Sequence, residues 1–149
     1  MTPLIYTFGY EGLQIEVFIG RLQANGVETL VDVRELPLSR KKGFSKNTLR
    51  EHLALAGIRY EHMPQLGCPK PIRDAYRQDA DWQQYTRAFN AYLKLQVEPI
   101  NALAQLAKNE ISCLMCFEAD HQTCHRTYVA RSLQRIISFE IVHLQAKTT

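Results

Sequence analysis

The 149-residue chain, 46% hydrophobic with a formal net charge of +3, is long enough to close one substantial core and too short for two. No run approaches the roughly 18 apolar residues of a membrane helix, and Met1 to Tyr10 lacks the basic-then-apolar layout of a secretory signal. We therefore expect one soluble cytoplasmic domain over residues 1–149, without a membrane partner. In that compartment Cys68, Cys113, Cys116 and Cys124 are expected as reduced thiols.

Leu4 to Phe8 is a short apolar and aromatic run bounded by Gly9, which predicts a strand. Ile15, Phe18, Ile19 and Leu22 recur at helical spacing, and Asn25-Gly26 supplies a stop. Thr29 to Val33 predicts a second strand, and Glu35 to Phe44 a polar, basic loop. Ser45 is placed as an N-cap, with Phe44 and Leu49 as a hydrophobic staple and Gly57 ending the helix. A third strand follows over Ile58 to Met63.

The stretch through Leu66, Gly67, Pro69 and Pro71 reads as a long irregular connection, too rich in proline to be regular. Asp81 and Gln84 resemble a capping box, and Trp82, Tyr85, Phe89 and Tyr92 then share one helix face. That stripe reads as core rather than as a base-stacking platform. Pro99 with Ile100, Leu103 and Leu106 marks a further helix, Ile111 to Phe117 a strongly apolar strand, Val129, Leu133 and Ile136 a last helix, and Glu140 to Leu144 a last strand. The alternation predicts a single-domain α/β three-layer sandwich, a mostly parallel sheet of about five strands with helices on both faces.

In such a sheet ligands collect outside the carboxyl ends of the strands. Those ends carry Gly9-Tyr10-Glu11-Gly12, Arg34, His62 and Cys116 to Glu118. The segment CLMCFEADHQTCHR, residues 113–126, then brings Cys124, His125 and Arg126 to the start of the next helix, where free N–H groups favour anions and thiolates. An arginine there calls for a negative partner, either Glu118 or a bound anion. The candidate catalytic residues are Glu118 and Glu11 as acid–base groups and Cys124 as an activated thiol. Tyr10, Arg34, Arg40, Lys41, His62, His125 and Arg126 are the candidate anion-binding residues. Asp32, inside the second strand, is placed to orient an arginine.

A metal set of Cys116, His121, Cys124 and His125 is the lesser alternative, since its spacing departs from paired structural-zinc patterns; no cofactor is expected. Ten Lys or Arg against four Asp or Glu fall between Arg34 and Arg77, which suits a phosphate-bearing small molecule or a nucleic acid. Three readings stay open: an enzyme acting on a phosphate-bearing substrate, a non-catalytic nucleic-acid-binding module, and a protein-interaction domain whose polar motif is structural.

Together YTFGYEG, LVDVRELPLSRKKGFSK, GIRYEHMPQLGCP and CLMCFEADHQTCHR resemble the bacterial and archaeal family catalogued as domain of unknown function 488. The resemblance covers nearly the whole chain in order and implies a compact α/β domain. It implies shared site positions at Gly9 to Gly12, Asp32, Arg34, Pro37, Ser39, Gly43 to Ser45, Tyr60, His62, Leu66, Gly67, Cys116, Glu118 and Cys124 to Arg126. Cys68 stands where the family often has a second glycine. The resemblance implies no reaction.

Overall fold

The computed structural model describes residues 2–145. Its elements run β1 (Leu4–Gly9), α1 (Ile15–Ala24), β2 (Thr29–Asp32), α2 (Lys46–Leu55), β3 (Arg59–His62), α3 (Lys70–Asp79), α4 (Trp82–Lys94), α5 (Val97–Asn109), β4 (Ser112–Cys116), α6 (Arg126–Gln134) and β5 (Glu140–Leu144). Short 3₁₀ turns occupy Pro64–Leu66 and His121–Thr123. The five strands form one sheet in the order β3-β2-β4-β1-β5, with every neighbouring pair parallel. This is the single α/β domain expected.

Strand composition follows position in the sheet. The central β4 is buried along its whole length, whereas the edge strands β3, RYEH, and β5, EIVHL, carry charged and half-buried positions. An edge exposes backbone donors and acceptors, and charge there discourages pairing with another chain. Alternating side chains feed two cores. On one face Phe8, Leu30, Cys113 and Met115 pack with Phe18 and Leu22 of α1 and Leu49 and Leu53 of α2. On the other, Ile5, Val31 and Leu114 meet Phe89 of α4, Leu103 of α5 and Val129 and Leu133 of α6, with Ile72 and Tyr76 of α3 at the margin. Each such fully buried aliphatic or aromatic side chain contributes roughly 1.5–3 kcal/mol.

Two local expectations are corrected. The proline-rich connection contains a ten-residue helix, α3, because Pro71 occupies the first turn, where its missing N–H costs nothing. α3 is predominantly polar and has no fully buried residue, so its few apolar side chains, Ile72 and Tyr76 among them, do not stand out as a core stripe. Ser45 holds the N-cap position of α2 but does not cap it. Its Oγ instead donates to Ser39 O (3.1 Å) and accepts from Ser39 N (3.0 Å), closing the basic loop on itself. Asp81, by contrast, caps α4 as expected, accepting from Gln84 N at 3.1 Å.

Candidate functional site

Helices α1 and α2 leave β1 and β2 on one face, and α6 leaves β4 on the other, so the chain reverses face around β4. The carboxyl end of β4 is therefore the natural crevice of the sheet. A cavity of about 880 Å³ opens there, large enough for a drug-sized ligand. It is lined by Tyr10, Arg34, Cys116, Phe117, Glu118 and His125 from the strand ends and by Arg40, Arg73, Tyr76, Arg77, Trp82 and Tyr85 from the flanking loop and helices.

The loop after β4 is fixed by main chain. Tyr10 N donates to Cys116 O (3.1 Å) and Glu11 N to Phe117 O (2.8 Å), while Glu11 Oε1 accepts from Ala119 N (3.0 Å). The approach is so close that a Cβ on Gly9 would lie 1.7 Å from the Glu118 carbonyl oxygen. Only glycine fits there. Glu11, an acid–base candidate, thus braces the loop and is absent from the cavity lining.

Asp32, fully buried, organises the wall. Its carboxylate accepts from Arg34 Nε (2.8 Å), Arg34 Nη2 (2.7 Å), Arg34 N (3.1 Å) and Tyr60 Oη (2.6 Å). Burial alone would lower the Arg34 pKa, but the adjoining carboxylate outweighs it and raises it. Burial and the same negative charge hold the Tyr60 phenol well above its ordinary value. Arg34 Nη1 reaches Tyr10 Oη at 3.2 Å, and His62 Nε2 lies 2.8 Å from Arg34 O. His62 therefore fixes the Arg34 backbone and does not line the cavity.

Arg126 is the largest fully buried side chain. The expected partner, the Glu118 carboxylate, is not the one it uses. Nη1 donates to Glu118 O (2.5 Å) and toward Cys116 Sγ (3.3 Å), and Nη2 donates to Ala119 O (3.3 Å), while Nε is buried without a partner. The turn after β4 presents carbonyls to the guanidinium. The Glu118 carboxyl lies at the cavity with Oε2 3.5 Å from Cys116 Sγ. Burial raises the pKa of that carboxyl and lowers the pKa of Arg126.

The thiol expectation also needs correction. Cys116 and Cys124 are joined as a disulfide, with Cα atoms 7.5 Å apart. Placing the end of β4 against the start of α6 brings the two sulfurs together, a proximity that linear spacing does not register. Cys124 carries no free thiol in this state. Cys68 and Cys113 are free and buried; burial pushes the Cys68 thiol up to about 11. His125 is held through Nε2 to Val33 O at 2.7 Å, and burial takes its pKa down to about 4.

Of the four residues in the metal alternative, three come together: ligand atoms of Cys116, Cys124 and His125 all lie within 4.8 Å of one another. His121 is elsewhere, its ring stacked on His143 at 3.7 Å. Among the anion-binding candidates Tyr10, Arg34, Arg40 and His125 line the cavity, and Lys41, His62 and Arg126 do not. Arg73, expected with Arg77 at an electropositive entrance to the crevice, lines the cavity, and Arg73 Nη1 donates to Glu35 Oε1 (2.7 Å) and Cys68 O (2.7 Å); the sequence reading did not single out Tyr76, on the unassigned α3, or Glu35, in the loop after β2. Trp82 and Tyr85, expected as core, stack on each other at 4.6 Å and serve both core and cavity wall.

No helix among the described residues is long and apolar enough to cross a membrane. No curated protein and no solved structure matches the chain. The family model described as domain of unknown function DUF488 matches residues 14–133, and on that match the chain belongs to the DUF488 family.

Proposed function

We propose that the cavity binds a phosphate-bearing ligand, a nucleotide either free or as one unit of a single-stranded nucleic acid. The observation that carries this reading is the pairing of unmatched cations with an aromatic wall. Arg34 and Arg73 are neutralised by Asp32 and Glu35, whereas Arg40 and Arg77 line the same cavity and have no carboxylate partner among the described residues. Guanidinium groups match phosphate oxygens in fork geometry. Tyr76 and Trp82, partly exposed at the cavity wall, offer ring surface for a base.

Binding comes before any reaction in this reading. Glu118 is the acid–base candidate retained, because its carboxyl reaches the cavity while that of Glu35 is held by Arg73.

Calorimetric titration with each ribonucleoside monophosphate, with inorganic phosphate and with a short single-stranded oligonucleotide tests the proposal. Saturable binding that weakens with salt is expected. The Arg40→Gln, Arg77→Gln double variant should weaken it about tenfold, two exposed cation–phosphate contacts at roughly 0.7 kcal/mol each. A mononucleotide that binds as tightly as the oligonucleotide identifies the free nucleotide as ligand, and the reverse identifies the nucleic acid. No saturable binding to any of the three at low ionic strength overturns the reading.

A further inference from the structure

Beside the cavity lies a second, independent feature: two cysteines and a histidine converging from different elements, of which Cys116 and His125 line the cavity. Cys116 is the last residue of β4, and Cys124 and His125 immediately precede α6. All three are nearly inaccessible, and their sulfur and nitrogen atoms lie within 4.8 Å of one another. A borderline-soft divalent ion favours this donor set.

The tautomer of His125 is set by its surroundings. Val33 O, 2.7 Å from Nε2, can only accept, so a neutral ring carries its proton on Nε2 and leaves the Nδ1 lone pair free. Nδ1 is the atom on the cysteine side, 3.8 Å from Cys124 Sγ. A histidine whose outer nitrogen bonds a backbone carbonyl while its inner nitrogen faces two sulfurs is arranged as a metal-binding imidazole is.

Charge points the same way. Arg126 is fully buried, donates toward Cys116 Sγ at 3.3 Å and makes no ion pair with a carboxylate among the described residues. A disulfide sulfur offers this cation no charge. A thiolate does. With both cysteines ionised, the charge of the two thiolates is met by a divalent cation together with the Arg126 guanidinium, which donates toward Cys116 Sγ.

We propose that Cys116, Cys124 and His125 form a zinc site in the reduced chain, and that the Cys116–Cys124 disulfide is its oxidised, metal-free form. A dithiol reductant supplies two electrons and two protons, the sulfur–sulfur bond breaks to give two thiols, and the reductant becomes a disulfide. Zinc then binds as the thiols release their protons. Three protein ligands leave a fourth position open, and two of the three, Cys116 and His125, line the cavity with Glu118.

The experiment is a titration of reduced, reductant-free protein under nitrogen with zinc chloride against a chromogenic chelator, with thiols counted in parallel. One zinc per chain is expected. Protein oxidised with diamide, its disulfide verified by mass, should take up none and recover uptake after reduction. Cys124→Ser and His125→Gln should each weaken binding at least tenfold, and His121→Gln should leave it unchanged.

Cobalt added to the reduced wild-type chain should give thiolate-to-metal charge-transfer absorption, a readout that holds even if a variant fails to fold. Reduced protein with all thiols free that takes up no zinc and shows no such band overturns the proposal. So does undiminished binding in a folded Cys124→Ser variant, or equal binding by the oxidised chain. These outcomes are independent of whether the cavity binds a nucleotide.

Discussion

Asp32→Ala removes the acceptor of four hydrogen bonds at once. Arg34 and Tyr60 lose their carboxylate, and the guanidinium, 7% exposed, keeps only its contact with Tyr10 Oη. Breaking a buried ion pair from one side costs about 3–5 kcal/mol, because the remaining charge stays desolvated and unpaired. The Tyr60 hydroxyl adds little, since its half-buried ring lets it turn to water. A loss of about 4 kcal/mol is expected, a large share of the 5–15 kcal/mol typical of a domain.

In urea, with a slope near 2 kcal/mol/M, the midpoint should fall by about 2 M with the slope unchanged. The sharper test is the pair. Arg34→Met alone should also destabilise, since it strands the carboxylate, whereas Asp32→Leu with Arg34→Met removes both charges and should lie closer to wild type than either single variant. A cost for Asp32→Ala under about 1 kcal/mol, or a double variant whose loss equals the sum of the singles, refutes the account of Asp32 as the organiser of the wall.

Two further predictions concern the rest of the site. Arg126→Ala should destabilise by about 3 kcal/mol, because it deletes a fully buried side chain, leaves a void and releases the Glu118 and Ala119 carbonyls, while Glu118→Ala should stay within about 0.5 kcal/mol of wild type, because the turn is held by the Glu118 carbonyl and not its carboxyl; equal thermal shifts for the two variants contradict this division. His143 is neutral in the fold. Burial, then the neighbouring His121, Arg126 and Arg131, takes its pKa down to about 4, and its Nδ1 bonds Thr7 Oγ1 at 2.6 Å.

Because the folded pKa of His143 lies below the unfolded value of about 6.5, its contribution is complete above about pH 6.5 and is lost as pH falls toward 4. For a partly exposed ring the loss is about 1 kcal/mol. Urea titrations at a series of pH values should show a smaller acid loss for His143→Gln than for wild type, and parallel curves exclude the effect.

The sequence revealed the sheet more readily than the site, for a physical reason. β2 and β4 are buried on both faces, so apolar character runs continuously along them, and α1, α4 and α5 each bury a face whose period is readable. α3 buries no residue fully, is predominantly polar and starts among prolines, so its composition reads as a connection rather than as a helix. Asp32 orienting Arg34, and the approach of Cys116 and Glu118, followed from strand alternation. The partners of Arg126 did not, because they are backbone carbonyls whose direction depends on the φ and ψ angles of one turn. The disulfide likewise depends on how α6 is seated against β4.

The attachment of the loop after β4 to the end of β1 is made from peptide groups and from the space beside Gly9. Peptide groups are the same in every residue. Apart from Gly9, the Glu11 brace and the Arg126 guanidinium that meets its carbonyls, then, the loop is held where it is almost regardless of the side chains written into it. Phe117 and Glu118 face the cavity from a support that their replacement does not disturb, so the chemistry presented there is free to be rewritten by substitution while the floor of the crevice keeps its shape.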